Sequence, residues 1–314
     1  MTEPQKELHT SPAQTLQFQA HTSPVQSLQL SRNGRYLLTC GLKEPMIKLW
    51  KVADGAEMSE FEVNSIHGTN DLCLDSRDER FVSSGANIQL WDILKTKPVQ
   101  IWNTQKQLQN AEMCKVSQSK LVDGGLIFSA GYDGALKIFD IRQKLTGPIV
   151  EYQTSHEMLN CLELEGFKVC CGGNDGYLYS FDLRSDKLYS DMFDTKSQVM
   201  SIASDHAKTF LSMVGKTQIC EYDLARGKLV SINQHCIDSV ENYMVNICYR
   251  NDWLVSGSEQ GKIYAFNGAR REVFGLGKTG KGKVVKVASS KGLAGGNTVA
   301  GGCGDGVCHI VSIE

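Results

Sequence analysis

Residues 275–282 come closest to a catalytic motif in this sequence. They read Gly-Leu-Gly-Lys-Thr-Gly-Lys-Gly and approach the GxxxxGK[ST] loop that binds nucleotide phosphates. Gly282 stands where serine or threonine must bind magnesium, and the alternative register puts Glu272 at the first glycine position. Residues 283–288 then alternate as in a strand, whereas the motif requires a helix. The segment is therefore predicted to be a linker, and no nucleotide cofactor is expected.

A metal site is the second chemistry that the residue types suggest. Cys303, Cys308 and His309 lie close together in the sequence. Their spacing fits no CxxC framework, and Cys308 and His309, as neighbours on one strand, should point to opposite faces. No metal is expected. The sequence also contains no GxSxG or HExxH motif, so we expect no catalytic residues, although a triad assembled from distant segments is invisible in one sequence.

The elements that would position any site form a repeat. Six segments end in an alternating strand followed by an aromatic residue, and a seventh copy lies at residues 307–312. The aromatic residues are Trp50, Trp91, Phe139, Phe181, Tyr222 and Phe266, and Val311 occupies the equivalent position in the seventh copy. Successive positions are separated by 41 to 48 residues. Short strands with a period of about 40–45 residues are typical of WD-repeat propeller blades. The chain therefore resembles the WD-repeat family, which implies an all-β fold with seven blades.

The repeat also predicts the domain organisation. A blade cannot cover both of its own faces, so blades must stack around an axis and close a ring. We expect one propeller over residues 13–314, preceded by a flexible tail at residues 1–12. The seventh copy lacks an outermost strand, whereas residues 14–19 alternate as a strand does. Residues 14–19 are therefore predicted to pair with the strand at 306–312 and close the ring.

Composition predicts an intracellular protein. The 33 basic and 35 acidic residues give a net charge of −2, and no apolar run approaches the roughly 18 residues of a membrane helix. The N-terminus has no charged segment followed by an apolar one, as a signal peptide would. Most of the 11 cysteines fall in predicted strands, with Cys236 expected in a loop. Buried free cysteine is typical of a reducing compartment, and we expect a location in the nucleus and cytoplasm.

Several histidines have a structural explanation. His21, His67 and His156 each precede a repeat by the interval usual for WD repeats, and the resemblance implies a hydrogen-bond chain from this histidine. The chain would join a turn aspartate, a strand serine or threonine and the indole of the aromatic residue. In this sequence it is predicted to be incomplete in every blade. The second blade offers His67, Ser84 and Trp91 without an aspartate, and the fourth has Cys171 where serine is expected.

Arginines follow the aromatic-aspartate pairs at a regular position. Arg142 and Arg184 lie two residues after their aspartates, and Arg226 and Arg270 lie three residues after the corresponding Asp223 and Asn267. Because these turns should join the third and fourth strands of each blade, the arginines are predicted to share one rim. They either cap their local turns, in which case exposed pairs add little stability, or form a docking face for a partner.

A lysine cluster and the loops entering the blades are the remaining candidates. Lys278, Lys281, Lys283 and Lys286 stand among glycines, and such lysines either are solvated or contact RNA phosphates. The loops predicted on the narrow face span 20–24, 64–70, 104–112, 154–158, 194–198, 233–244 and 276–283. Near the sixth of these, Tyr243 and Met244 are residue types that often anchor protein interfaces. We therefore assign them, with the lysines, to a second partner-binding surface.

Three segments support a closer resemblance. They are Leu37-Leu38-Thr39-Cys40-Gly41, Asp182-Leu183-Arg184 and Val255-Ser256-Gly257-Ser258-Glu259, each with the strand that follows it. Within the WD-repeat family they resemble the mitogen-activated protein kinase organizers, a group that also associates with the spliceosome. The aromatic-Asp-x-Arg turns resemble those of substrate receptors for a cullin-RING ubiquitin ligase adaptor.

Three functions follow from these resemblances and motifs. The first is a non-catalytic scaffold that assembles splicing factors or kinase-cascade proteins, in the spliceosome and mRNA splicing or in a MAP kinase pathway. The second is a substrate receptor of the ubiquitin ligase. The third is an enzyme that uses loops on one propeller face. The only feature that supports an enzyme is the incomplete phosphate-binding loop. No membrane and no small-molecule substrate is expected as a partner.

Overall fold

The fold is known from a computed structural model. It describes most of the chain. The described residues are 15–63, 68–103, 116–122, 125–144, 146–185, 187–192, 197–205, 208–213, 218–224, 226–236, 246–267, 270–275, 284–291 and 297–313.

The described residues form twenty-eight β-strands in seven antiparallel sheets of four strands. Blade 1 consists of β2 (Val25–Leu30), β3 (Tyr36–Gly41), β4 (Met46–Lys51) and β5 (Glu57–Glu62). Blade 2 consists of β6 (Thr69–Leu74), β7 (Arg80–Gly85), β8 (Asn87–Asp92) and β9 (Gln100–Asn103). Blade 3 consists of β10 (Val116–Val122), β11 (Leu126–Gly131), β12 (Ala135–Asp140) and β13 (Val150–Gln153). Blade 4 consists of β14 (Leu159–Glu165), β15 (Lys168–Gly173), β16 (Tyr177–Asp182) and β17 (Lys187–Met192).

The remaining sheets follow the same order, with one exception at the end. Blade 5 consists of β18 (Val199–Asp205), β19 (Lys208–Met213), β20 (Gln218–Asp223) and β21 (Lys228–Cys236). Blade 6 consists of β22 (Ile247–Arg250), β23 (Trp253–Ser256), β24 (Lys262–Asn267) and β25 (Arg270–Gly275). Blade 7 consists of β26 (Val284–Lys291), β27 (Asn297–Cys303) and β28 (Val307–Ile313), and β1 (Thr15–Gln19) is its fourth strand.

The first strands of successive blades contact each other, and β26 contacts β2, so the sheets close a ring. The chain is a seven-bladed β-propeller, as the repeat predicts. The closure is also confirmed, because β1 pairs antiparallel with β28 from Thr15 opposite Val311 to Gln19 opposite Val307. Gly306, in the turn before β28, has φ 82° and lies against the carbonyl of His21. A Cβ atom at this position would clash with that backbone, which explains the glycine.

Aromatic side chains join neighbouring blades at four junctions. The outer strand of one blade carries a ring that packs on the repeat's aromatic residue in the following blade. The pairs are Phe18 with Trp50 at 4.8 Å between ring centroids, Phe61 with Trp91 at 5.8 Å, Trp102 with Phe139 at 6.1 Å and Tyr152 with Phe181 at 4.3 Å. Such pairs contribute about 0.5–1.5 kcal/mol beyond the area that they bury. The ring therefore gains stability at the junctions between blades as well as within each sheet.

Hydrogen bonds between the first strands of neighbouring blades reinforce three junctions, from blade 2 to blade 5. Asn70 donates from Nδ2 to the carbonyl of Val116 at 2.8 Å, and Asn160 donates to the carbonyl of Val199 at 3.1 Å. Between them, the Ser117 hydroxyl donates to the carbonyl of Leu159 at 2.5 Å. Each donor directly follows the first residue of its strand. Buried carbonyl groups near the propeller axis therefore receive partners from the neighbouring blade.

The prediction that every histidine network is incomplete is wrong for blade 1. His21 contacts Glu44 through Nδ1 at 2.7 Å and Thr39 through Nε2 at 2.9 Å, and Trp50 donates from Nε1 to Thr39 at 2.8 Å. Glu44 occupies the turn between β3 and β4, where the expected residue is aspartate. Its additional methylene lets the carboxylate reach the histidine, so a glutamate completes the network.

Three further assignments need correction. In blade 2 the indole of Trp91 donates to Ser83 at 2.9 Å, whereas the sequence suggested Ser84; adjacent strand residues face opposite ways, so the choice matters. In blade 4 His156 is exposed, and its neighbour Ser155 donates to Asp175 at 2.7 Å. Cys236 was expected in a loop but ends β21, so the first four residues of the loop predicted at 233–244 belong to a strand, and the rest of that segment lies outside the described residues. His67 lies outside the described residues.

Candidate partner-binding surfaces

The predicted arginine turns share one face of the propeller. Arg142, Arg184 and Arg226 each lie between the third and fourth strands of blades 3, 4 and 5. In an antiparallel sheet these turns lie at the same end as the turns between the first and second strands, which gives the rim predicted from the sequence. Arg270 is the first residue of β25 and so marks the corresponding position in blade 6.

Aspartate side chains hold the first two arginines in the same geometry. Arg142 donates from Nε and Nη2 to Asp140 at 2.9 and 2.8 Å, and its backbone N–H donates to the same carboxylate. Arg184 repeats this pattern with Asp182 at 3.3 and 3.2 Å. Hydrogen bonds from the Arg142 side chain and backbone lower the pKa of Asp140 to about 2. The arginines thus cap their turns, while about two thirds of each side chain stays exposed.

Blade 5 keeps the turn but loosens the ion pair. The backbone N–H of Arg226 donates to Asp223 at 3.0 Å, whereas its Nε lies 3.7 Å from the carboxylate. The extra residue between the two explains the longer contact. The capping interpretation and the docking interpretation are therefore compatible, because each guanidinium is oriented by its aspartate and still faces solvent.

Blade 4 adds exposed apolar side chains to this rim. The guanidinium of Arg184 lies over the ring of Phe167 at 5.1 Å, and Phe167 is 59% exposed. The backbone of Leu183 donates to the carbonyl of Phe167 at 2.9 Å, which joins the two turns of the blade. On the adjacent strand β17, Leu188, Tyr189 and Met192 are also exposed. We call Phe167, Leu183, Leu188, Tyr189 and Met192 the blade 4 patch.

This patch was not predicted from the sequence. The available signal was that two large apolar residues stand next to each other on an outer strand, where one of them must point away from the neighbouring blade. Adjacent apolar residues on an outermost strand therefore indicate exposure.

The other predicted site residues lie mostly outside the described part of the chain. These are Tyr243, Met244, Lys278, Lys281 and Lys283, so the proposed second surface stays a prediction. Lys286 is described and belongs to β26, as expected for a strand after the glycine-lysine stretch. Its side chain helps to line the central channel, where Asp71 is among the other lining residues.

The central channel contains a polar cavity of about 280 Å³ lined by first strands of all seven blades. Lys120 and Glu163 form an ion pair of 3.1 Å in its wall. Burial raises the pKa of Asp71, although Lys286 and Lys120 oppose the shift, and Ser27 donates to its carboxylate at 3.0 Å. The cavity is smaller than the roughly 300–1,000 Å³ of most ligand pockets. The charged side chains in its wall interact with one another, because Lys120 pairs with Glu163 and Lys286 and Lys120 act on Asp71.

The cysteines of the described strands are free and mostly buried. Burial raises the pKa of the Cys161 and Cys170 thiols to about 12, which makes a reactive thiolate at neutral pH unfavourable. Within the described ranges, no three histidine, cysteine or acidic side chains group as a metal site would require. The same ranges contain no helix of the length and apolarity needed to cross a membrane.

Comparison with known proteins agrees with the repeat geometry. Residues 11–51 match the family model for WD domain, G-beta repeat. This match covers β1 and the whole of the first three strands of blade 1, including the complete network of His21, Thr39 and Trp50. WD-repeat propellers typically act as non-catalytic platforms for protein binding, with specificity in loops and rims held by a rigid scaffold.

Relatives of low identity match between 42% and 73% of the chain. WD repeat-containing protein 55 of Bos taurus is 25% identical over 224 residues, which cover 69% of this chain and 56% of the relative. Protein sof1 of Schizosaccharomyces pombe is 28% identical over 135 residues, 42% of this chain and 29% of the relative. Autophagy-related protein 16 of Arabidopsis thaliana is 23% identical over 251 residues, 73% of this chain and 45% of the relative. The matches thus span about half, or less, of the length of these relatives.

Proposed function

We propose that this chain is a non-catalytic WD-repeat scaffold that assembles proteins, within the spliceosome or within a MAP kinase pathway. The resemblance of its strand segments to the spliceosome-associated kinase organizers supports the choice of pathway. This function implies a location in the nucleus and cytoplasm. The proposal excludes neither RNA contact through Lys278–Lys286 nor a second surface around Tyr243.

One observation carries the proposal: the arginine rim of blades 3 to 5. Arg142 and Arg184 point to solvent in a geometry fixed by bidentate pairs with their aspartates. A side chain that is already oriented loses little conformational entropy when a partner binds. Arginine also binds carboxylates through a planar fork, which favours recognition of acidic groups. The rim therefore fits protein docking better than it fits catalysis.

Charge reversal of the rim tests this function. The double variant Arg142→Glu and Arg184→Glu should fold normally, because exposed ion pairs contribute about 0–1 kcal/mol. Affinity purification followed by mass spectrometry should show that partners of the wild type are lost from this variant. The matched control is Lys43→Glu, an exposed residue in a turn at the opposite end of blade 1. If the double variant retains the same splicing or kinase-cascade proteins, the rim is only a solvated surface.

The same turns support a second candidate, a substrate receptor on a cullin-RING ubiquitin ligase adaptor. The specific observation is that Arg142 and Arg184 occupy equivalent positions in adjacent blades with equivalent aspartate pairs. This function predicts that the adaptor co-purifies with the wild type and is lost from Arg142→Ala with Arg184→Ala. Co-purification of splicing factors without the adaptor would favour the scaffold.

A further inference from the structure

The outer strand of blade 4 lacks the aromatic anchor that holds the outer strands of blades 7, 1, 2 and 3. In blades 1, 2 and 3, the outer strand carries an aromatic residue opposite the second residue of the third strand. These aromatic residues are Phe61, Trp102 and Tyr152. In blade 4 the residue at this position is Asp191, opposite Leu178. Its carboxylate accepts a hydrogen bond from the hydroxyl of Tyr222 in blade 5. A polar contact thus replaces ring packing at this junction, and β17 has no fully buried residue.

Apolar side chains of β17 consequently face solvent. Leu188 is 44% exposed, Tyr189 is 51% exposed and Met192 is 55% exposed. Leu188 and Met192 lie on one face of β17 and Tyr189 lies on the other, so the blade 4 patch, which also includes Phe167 and Leu183 in the adjoining turns, borders the outer edge of the sheet on both faces. Contiguous exposed apolar surface marks interaction sites, whereas scattered apolar residues need no explanation.

The free edge of β17 is also poorly protected. Outermost strands present unpaired backbone N–H and C=O groups, and charged residues normally discourage pairing with other chains. Blade 1 follows this rule, because Glu57, Glu60 and Glu62 are exposed on β5. On β17 the charged residues are Lys187 at the start and Asp191, whose carboxylate is bonded to Tyr222. The edge of blade 4 is therefore open to an added strand in a way that the edge of blade 1 is not.

Charge around this edge selects the kind of partner. The aspartates of the turns in blades 3, 4 and 5 are each engaged by an arginine of the same turn. Each turn also leads to an exposed lysine that makes no ion pair with a described residue: Lys144, Lys187 and Lys228. With Arg184 beside Lys187, the start of β17 is cationic. An acidic segment complements this surface, and a basic one is repelled.

We propose that the outer edge of blade 4 binds an extended, acidic segment of a partner protein, which adds to β17 as a fifth strand. Backbone hydrogen bonds to the free edge supply affinity, and apolar side chains on one face of the segment contact Leu188 and Met192, while a side chain on its other face contacts Tyr189. Acidic residues of the segment lie beside Lys187 and Arg184. This inference rests on the proposed scaffold function and assigns it one specific surface.

The probe is a display library of random ten-residue peptides selected against the whole protein. We expect enrichment of peptides in which aspartate or glutamate accompanies alternating apolar residues. A selected peptide should slow amide hydrogen exchange in β17 and leave β5 unchanged. The variant Leu188→Glu with Tyr189→Glu should weaken its binding at least tenfold. The control Met58→Glu alters a side chain of similar exposure, 49%, on the outer strand of blade 1, and should bind as the wild type does.

Several results would overturn the proposal. They are the absence of any peptide that distinguishes wild type from the double variant, selection of basic peptides, and unchanged exchange in β17 on binding. A concentration-dependent dimer that the double variant abolishes would assign the edge to a second copy of this chain and would also refute it. Met192→Glu provides an independent variant if the double variant does not fold. Loss of partners from Arg142→Glu with Arg184→Glu, but not from the β17 variants, would retain the scaffold function and reject this edge.

Discussion

At the scale of single residues, blade 1 shows how a substituted turn residue preserves a network. Burial lowers the pKa of His21 and favours its neutral form, although Glu44 opposes the shift. In the neutral ring, Nδ1–H donates to Glu44 and Nε2 accepts from the Thr39 hydroxyl, which in turn accepts from the Trp50 indole. Every polar atom of this buried chain then has a partner, as the burial requires.

Thr39→Val tests the central member of the network. The variant leaves the Trp50 N–H and His21 Nε2 without a partner, and each unsatisfied buried group costs about 1–3 kcal/mol. We therefore expect the free energy of unfolding, measured in urea, to fall by roughly 2–4 kcal/mol. Ser129→Ala is the matched control, because Ser129 is equivalent in blade 3 and its hydroxyl has no partner among the described residues. Equal losses for the two variants would show that the network adds nothing.

Acid titration tests the carboxylate of the same network. Burial opposes ionisation of Glu44, but hydrogen bonds from Ser23, His21 and Thr22 outweigh burial and lower its pKa to about 2. Because the folded pKa lies below the ordinary value of about 4.3, the carboxylate stabilises the fold above that value. This contribution is lost as the pH falls from about 4.5 to 2. Glu44→Gln should therefore show a shallower loss of stability over this range than wild type, while Glu62→Gln should follow the wild type.

At the scale of elements, the seven outer strands are not equivalent. Trp102 of β9 is fully buried against Phe139 of the next blade, whereas no residue of β17 is buried to that degree. The outer strands of blades 7, 1, 2 and 3 are therefore each held by a ring that packs on the next blade, whereas β17 carries Asp191 at the equivalent position.

Truncation of two outer-strand residues measures this difference. Trp102→Ala should lower the free energy of unfolding by about 3–5 kcal/mol, as for other buried aromatic residues. Leu188→Ala on β17 should change it by no more than about 0.5 kcal/mol, as for surface substitutions. Urea denaturation of both variants provides the comparison. A large loss for Leu188→Ala would mean that β17 is anchored after all, and would also weaken the proposal for blade 4.

The elements were predictable from the sequence because each carries a local signal. Alternation and the aromatic ending located the third strands, such as β4, β8 and β12. The contacts between distant residues were harder to predict from the sequence. The exposed state of Leu188 depends on Asp191, which is opposite Leu178 on one strand and bonded to Tyr222 of the next blade. Such a dependence joins residues about thirty positions apart, so local patterns do not contain it.

At the scale of the whole molecule, the ring is closed by residues far apart in the sequence. Gln19 also donates from its side chain to the carbonyl of Asp305 at 2.9 Å, beside the five paired residues of β1 and β28. The ring of Phe18 packs on Trp50, so β1 belongs to the sheet of blade 7 and to the packing of blade 1. This closure was predictable from the sequence, because residues 14–19 alternate as a strand does, and β1 indeed pairs with β28.

Removal of the closing strand is therefore the strongest test of the fold. Deletion of residues 1–19 exposes the edge of β28 and removes the Phe18 ring from Trp50, so the junction between blades 7 and 1 loses both hydrogen bonds and packing. We expect a lower urea midpoint, a broader transition and concentration-dependent association through the bare edge. Deletion of residues 1–12 alone is the control, since it ends before β1 and should leave the transition unchanged. An unaltered, cooperative transition after the longer deletion would mean that the ring is held closed by the contacts of β26 with β2 and that β1 is dispensable.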